Sequence, residues 1–526
     1  MKRKEPETVT IPRTEYEEMK AQLQYLMEQL RLGKYRQFGT SSEKSEYDLD
    51  QINLFNEAEV YAEPLTAEPA LTEVEKHYRK KRRELPGNLP EDLPVEVVEH
   101  RLPDDQQNCP ACEGPLHEMG KEVVRRELKL IPASAVIVEH VRYAYACRNC
   151  EKTDVSVPVV KAPVPAAMIK GSFASPEAVA HIMTQKFVMG VPLYRQEQEW
   201  KRQDLLLSRQ TMSNWLLRCS ENLLEPVYDA LKKKLLARNV LHADETVVQV
   251  LREPGRAAQT KSYMWLYRSS GDADIPIVLM EYQQGRGSEH PTKFLEGFVG
   301  YLHTDGYKVY HKLPQNIVVV GCWAHARRKF HEALELIPKD QRDGTGPFIG
   351  KRFCDRLFAI ERQLAPLSPE DRHQKRQELA KPVLDDFFAW LNFQYRRTTK
   401  NAFGRAVHYA VDEWKYLERY LLDGRLEISN NRAERSIKPF VIDRKNFLFA
   451  NTPAGARSSA VIFSIIETAK ENGLNPFEYL TFLFHALPGN PDEPIDDFLP
   501  GGMLAPERCL CPAPISPAAV SPWDVD

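Results

Sequence analysis

Five short apolar runs stand between residues 237 and 320: Val240-Leu241, Tyr263 to Tyr267, Ile277 to Met280, Val299 to Leu302 and Ile317 to Val320. Each has strand length, and β-branched and aromatic residues are frequent among them. Their order predicts three strands paired as an antiparallel meander, then two more strands, then helices. Upstream the apolar positions step at helical intervals. Ser175-Pro-Glu starts one helix, Gly190-Val-Pro turns, Leu193 to Lys201 reads as a second helix, and Ser208-Arg-Gln-Thr-Met starts a third with Ser208 as N-cap. Downstream, the stretch from Phe330 to Arg425 is charged and helix-forming, an insertion of helices. Ser429 is expected to cap the next helix, which carries Glu434.

Nearer the N-terminus, Thr14 and Glu17 form a capping-box signal, and Tyr16, Met19, Leu23, Leu26 and Leu30 follow at steps of three and four. This is the pattern of a short coiled coil, or of an amphipathic helix packed on its own chain. Residues from Glu43 to Glu75 are acidic and aperiodic, a linker, and they give way to the basic run Lys76-His-Tyr-Arg-Lys80-Lys81-Arg82-Arg83. Such an arm neutralises phosphates without reading sequence, or simply solubilises the chain. From Pro488 onward proline and acids dominate without apolar periodicity, and a disordered tail is expected.

At 526 residues the chain exceeds one core, and two to four domains are expected. The net charge of −3 neither indicates nor excludes nucleic acid. No stretch reaches the roughly 18 uncharged apolar residues of a membrane span, and the N-terminus lacks a signal core, so a cytoplasmic protein is expected. In that compartment nine cysteines favour metal binding over disulfides. Cys109-Pro-Ala-Cys112 and Cys147-Arg-Asn-Cys150 are two C-x2-C knuckles separated by β-rich sequence, a set that completes a tetrahedral structural Zn2+ site. Cys509 and Cys511 have no partner set and read as incidental thiols.

The helix from Leu193 to Lys201 and the one that Ser208 caps resemble as a pair a helix-turn-helix, in which Arg209, Gln210 and Ser213 would project from the recognition helix; ordinary packing of Trp215 and Leu216 in a core is the alternative. Three acids carry the remaining chemistry. Asp244 lies on the first strand, Asp305 ends the fourth, and Glu434 follows Asn430 and Asn431 on a helix with Lys438 one turn on. Carboxylates meeting at one sheet edge suit hard ions such as Mg2+. Asn430, Asn431 and Lys438 are expected to share one helix face with Glu434, to orient it and to contact phosphates, and Arg435, Arg444 and Lys445 add cations for DNA.

His-Ala-Asp244-Glu-Thr, Thr-Asp305-Gly-Tyr, Gly321-Cys-Trp-Ala-His325-Ala-Arg-Arg-Lys-Phe330 and Asn-Asn-Arg-Ala-Glu434-Arg-Ser-Ile-Lys-Pro439 together resemble the transposases of IS66 insertion sequences. Phe38 to Lys44, Arg444 to Phe449 and Asn475 to Leu480 extend the resemblance. It implies an α/β, ribonuclease-H-like catalytic core with a helical insertion, preceded by the coiled coil, the zinc module and a helical DNA-binding region. The corresponding boundaries are 1–44 coiled coil, 45–100 linker with basic arm, 101–157 zinc-binding domain, 166–236 helical region, 237–330 with 426–470 catalytic core, 331–425 insertion, 471–487 C-terminal helix and 488–526 tail. Asp244, Asp305 and Glu434 are implied to be a DDE triad holding two Mg2+ or Mn2+ ions. The triad would cut transposon ends and join them to target DNA, in a homodimer or larger assembly, aided by accessory proteins of the same element and bound at the nucleoid. A catalytically silent repressor and a nuclease without joining activity are the rival readings. Cys322 and His325 match a C-x2-H element of the family; packing at the base of the insertion is the leading account of it, and metal contact the lesser one.

Overall fold

In the computed structural model, which describes residues 135–146, 159–161, 164, 167–398, 401–490 and 492–504, the five apolar runs form one five-stranded sheet. The chain divides into two units, Met1–Val138 and Glu139–Asp526, and every element below belongs to the second. The strands are β1 (Val240–Gln249), β2 (Lys261–Ser269), β3 (Val278–Gln283), β4 (Gly300–His303) and β5 (Ile317–Val320), in the order β3-β2-β1-β4-β5. β1 pairs antiparallel with β2, which pairs antiparallel with β3, while β4 and β5 run parallel to β1. The meander-then-parallel order follows the apolar pattern. β1 extends well beyond Val240-Leu241, because its polar second half pairs with β2 as far as Gln249.

The helical region contains α1 (Pro176–Phe187), α2 (Leu193–Arg202), α3 (Arg209–Cys219) and α4 (Glu225–Leu236). Ser175 and Ser208 cap α1 and α3 by accepting from the N–H groups of Ala178 and Thr211. Met212, Trp215 and Leu216 of α3 are buried in the main core. The short helix α5 (Glu289–Phe294) connects β3 to β4.

α6 (Trp323–Glu335) leads from the sheet into the insertion, which contains α7 (Gly346–Leu364), α8 (Pro369–Tyr395), α9 (Ala402–Asp412) and α10 (Trp414–Leu417). These helices build a second core around Trp323, Phe330, Phe387 and Trp414, which Val240 and Val320 of the sheet join. After the insertion come α11 (Asn431–Phe447), α12 (Pro453–Glu471) and α13 (Pro476–Gly489).

Helix α12 solves an edge-strand problem. β3 closes the sheet, and an open edge would leave its amides unpaired. Thr468 Oγ1 accepts the N–H of Val278 at 3.0 Å, and Ser464 Oγ accepts that of Met280 at 2.7 Å. Buried hydroxyls on this helix therefore complete the ladder from outside the sheet.

The structure corrects two local expectations. Residues 488–526 do not form an unstructured tail throughout: Ile495–Phe498 form a 3-10 turn, Phe498 and Leu499 lie in the main core, and Tyr479 donates its hydroxyl proton to the Phe498 carbonyl at 2.9 Å. Phe498 and Leu499 pin a segment otherwise rich in proline and acids. Ser429 is not the cap of α11; Asn430 occupies that position and makes no side-chain cap bond, since its amide is used elsewhere. The coiled coil, the basic arm Lys80–Arg83, the four knuckle cysteines, and Cys509 and Cys511 lie outside the described residues. Among the described residues no helix is long and apolar enough to cross a membrane.

Candidate active site

Strand register brings the first two acids together. On the adjacent parallel strands β1 and β4, His242 pairs with His303. Asp244 and Asp305 each lie two residues beyond that pair, so both emerge at the same edge of the sheet. Gly306 turns the chain immediately afterwards at φ +90°, where a Cβ would stand 2.9 Å from the Tyr409 hydroxyl. That hydroxyl belongs to α9 of the insertion and donates to the Asp305 carbonyl at 3.0 Å. The insertion thus braces the second acid, which its position in the sequence does not reveal.

Glu434 comes from the first turn of α11. Arg268, on β2 and 1% exposed, fixes this helix to the sheet: it donates to Ser436 Oγ and, through two nitrogens at 3.1 and 3.0 Å, to the carboxylate of Glu471 on α12. The negative charges of Glu245, Asp305 and Glu434 all reach Asp244. Burial first, and then these charges, push its carboxyl well above the usual range, against a lowering hydrogen bond from the Glu245 N–H. Asp244, Asp305 and Glu434 thus lie near enough for the other two charges to act on Asp244. Glu434 Oε1 is buried without a hydrogen-bond partner among the described residues, while Arg328 approaches Oε2 at 3.5 Å. An all-oxygen, mutually repelling set with an unmet acceptor fits hard divalent cations, which relieve both burdens.

Glu245, beside Asp244 on β1, has a distinct set of partners. Its side chain is 1% exposed, pairs with Arg286 and accepts from the Tyr310 hydroxyl at 2.5 Å. Arg286 in turn covers the ring of Tyr307 at 3.7 Å, and Asp305 accepts from the Tyr307 N–H at 2.9 Å. Sequence gave little sign of Arg286 beyond its place between Gly285 and Gly287, where a loop brings a cation to the acids.

Behind the acids, His242 and His303 stack with centroids 4.5 Å apart and no solvent exposure. Burial holds both neutral, pushing His242 down to about 3 and His303 well below its ordinary value. Asn430 ties this layer to α11: its Oδ1 meets His242 Nδ1 at 3.0 Å and its Nδ2 donates to the Ala243 carbonyl at 2.9 Å. Asn430 is fully buried, so it does not share the exposed face expected of it as a DNA contact. The Asn430→Ala variant is expected to lose about 1–3 kcal/mol, the cost of leaving a buried acceptor unmet, while DNA affinity of the folded protein stays unchanged. Urea unfolding and a binding titration check this; weakened binding without loss of stability would restore the surface reading.

The other expected DNA contacts separate into groups. Arg209 and Gln210 are exposed at the start of α3, though Arg209 also lies 3.8 Å from Glu197. Arg435, Lys438 and Lys445 are exposed on α11, and Asn431 is half-buried beside Glu434. Arg444 is directed to the backbone instead, donating to the Val247 carbonyl and to Thr246 Oγ1 on β1. It anchors the helix to the strand that carries Asp244.

Comparison with known proteins adds to this geometry. Residues 171–458 match the model of the transposase IS66 family, a span that includes Asp244, Asp305 and Glu434. Residues 106–151 match the zinc-finger binding domain of transposase IS66, a span that includes the four knuckle cysteines. Residues 25–98 match a leucine-zipper model described as transposase C of IS166 homeodomain, and residues 464–500 match the IS66 C-terminal element. Three uncharacterized proteins of Sinorhizobium fredii are similar over most of their length. One, y4jD, is 31% identical over 75% of this chain and 77% of its own; y4qI is 31% identical over 73% and 71%; y4hP is 30% identical over 88% and 85%.

Proposed function

We propose, from the premise that the chain belongs to the transposase IS66 family, that it binds the terminal inverted repeats of an insertion sequence, cuts the DNA there and joins the freed ends to a target. The observation that carries this reading is the placement of Asp244 and Asp305 two residues beyond the paired His242 and His303 on parallel strands, with the charge of Glu434, from a helix start, acting on Asp244. The strand order β3-β2-β1-β4-β5, with the first three antiparallel, supports a ribonuclease-H-like core. In this reading Asp244, Asp305 and Glu434 would together hold two Mg2+ or Mn2+ ions. Bound ions of this kind supply a nucleophile at neutral pH and offset charge on the attacking and leaving oxygens of an in-line displacement.

The protein's own residues do the rest. Arg268 and Asn430 keep α11 in register with β1, so that the third carboxylate stays with the first two. Arg286 and Tyr310 hold Glu245 aside. Arg435, Lys438 and Lys445 line an exposed face of α11 that suits phosphates flanking the reacting bond. Cys109, Cys112, Cys147 and Cys150 would hold a structural Zn2+ ion, whose closed four-thiolate shell leaves no position for chemistry. Arg209 and Gln210, with the arm Lys80–Arg83, would contribute to end binding. Pairing two transposon ends calls for a homodimer or larger assembly, with the N-terminal zipper as one contact and accessory proteins of the element as further partners.

The test is to incubate the full chain with labelled transposon ends, a supercoiled target plasmid and Mg2+. Cleaved ends and joined products are expected with Mg2+ and absent with a chelator. Binding without cleavage would indicate a silent repressor, and cleavage without joining a nuclease; either overturns the proposal.

A further inference from the structure

Cys322, His325 and Glu434 bring one donor atom each to within 4.8 Å of one another. Cys322 is the N-cap residue of α6, and His325 lies in the first turn of that helix. This C-x2-H spacing at a helix start directs a thiol and an imidazole to one place, where Glu434 arrives from the start of α11. His325 Nε2 stands 3.5 Å from Glu434 Oε1. Two ligand atoms, each roughly 2.1 Å from one tetrahedral zinc ion, lie roughly 3.4 Å apart. The pair is therefore spaced as two ligands of a shared ion would be.

The surroundings of the sulfur fit the same role. Cys322 is fully buried, and its Sγ accepts the Asn430 N–H at 3.1 Å, with the backbone N–H groups of His325 and Ala324 also directed at it. Backbone donors around a sulfur are the outer partners that hold and stabilise a coordinated thiolate. His325 Nδ1 and Glu434 Oε1 are buried and lack hydrogen-bond partners among the described residues. Simple packing of Cys322 at the base of the insertion explains its burial but not the unmet carboxylate oxygen of Glu434 beside it.

We propose that Cys322, His325 and Glu434 bind one borderline-soft divalent transition ion of the Zn2+ type, with solvent as the fourth ligand. One sulfur, one nitrogen and one oxygen make a softer set than the carboxylates Asp244 and Asp305, so this site selects zinc where those select Mg2+. The site shares Glu434 with the triad, and occupancy by zinc withdraws that carboxylate from it. The binding claim rests on these three side chains and is independent of the strand-transfer reading.

The full chain is dialysed to equilibrium against micromolar Zn2+ in millimolar Mg2+, and zinc per chain is measured by elemental analysis. The wild type is expected to hold one zinc ion more than Cys322→Ala and one more than His325→Gln, with unchanged far-UV circular dichroism. Equal zinc content in wild type and His325→Gln overturns the proposal. His325 is partly exposed, so its variant decides the matter even if Cys322→Ala fails to fold.

Discussion

Asp244→Asn is expected to abolish cleavage and joining, by at least about 1,000-fold, while raising the melting temperature of the metal-free protein. The two effects have one cause. Burial and the charges of Glu245, Asp305 and Glu434 hold the Asp244 carboxyl well above its ordinary value. An unfolded chain returns it to about 3.9. A carboxyl with a raised folded-state pKa favours folding fully below the unfolded value, and that contribution is lost as pH rises through the folded-state value. The asparagine variant should therefore match the wild type near pH 4 and exceed it increasingly toward neutral pH. Mg2+ should narrow the gap by stabilising the wild type alone. Thermal unfolding across this range, with chelator and with Mg2+, checks the sign; a variant less stable than wild type at pH 7 without metal would contradict it.

Arg376→Met should produce the largest loss of stability. Arg376 is 1% exposed in the insertion core and donates to both oxygens of Glu361 at 2.9 and 2.6 Å. It also donates to the carbonyls of Tyr420, Asp423 and Leu426 at 2.9, 2.8 and 2.7 Å. Methionine fills similar space but strands the Glu361 carboxylate and three acceptors, and breaking a buried pair from one side costs about 3–5 kcal/mol. The bonded carbonyls lie in the segment that leads from the insertion to Glu434, so the variant should lose strand cleavage as well. Adding Glu361→Leu should recover part of the stability, because removing both charges leaves neither stranded. Denaturant unfolding measures both; a loss below about 1 kcal/mol would mean that the pair is not what closes the insertion.

The sheet was legible because strand periodicity and order survive in the sequence: the run Ile317 to Val320 is β5 residue for residue. The placement of the three acids, two just beyond paired strand positions and one on a helix start, was legible, since a strand end followed by glycine and a helix start leave local marks. What escaped were long-range partners. Nothing near Arg268 announces Glu471, and nothing near Tyr409 announces Asp305, since such contacts depend on how helices dock. Asn430 shows the other limit. A polar residue at the start of the helix that carries Glu434 reads as a surface contact, yet here it satisfies buried groups of His242 and Ala243. Similarly Phe498 and Leu499 were hidden in a proline-rich tail, where two anchors cannot register as periodicity.

The most direct measurement is an anomalous diffraction map of the full chain crystallised with Mn2+ and a transposon-end duplex. Two peaks about 3.5–4 Å apart are expected, with Asp244 between them, Asp305 on one and Glu434 on the other. No ion at Asp244, or ligation by Asp244 and Asp305 with Glu434 directed elsewhere in the DNA-bound state, would contradict the assignment of these three residues as one metal-holding triad.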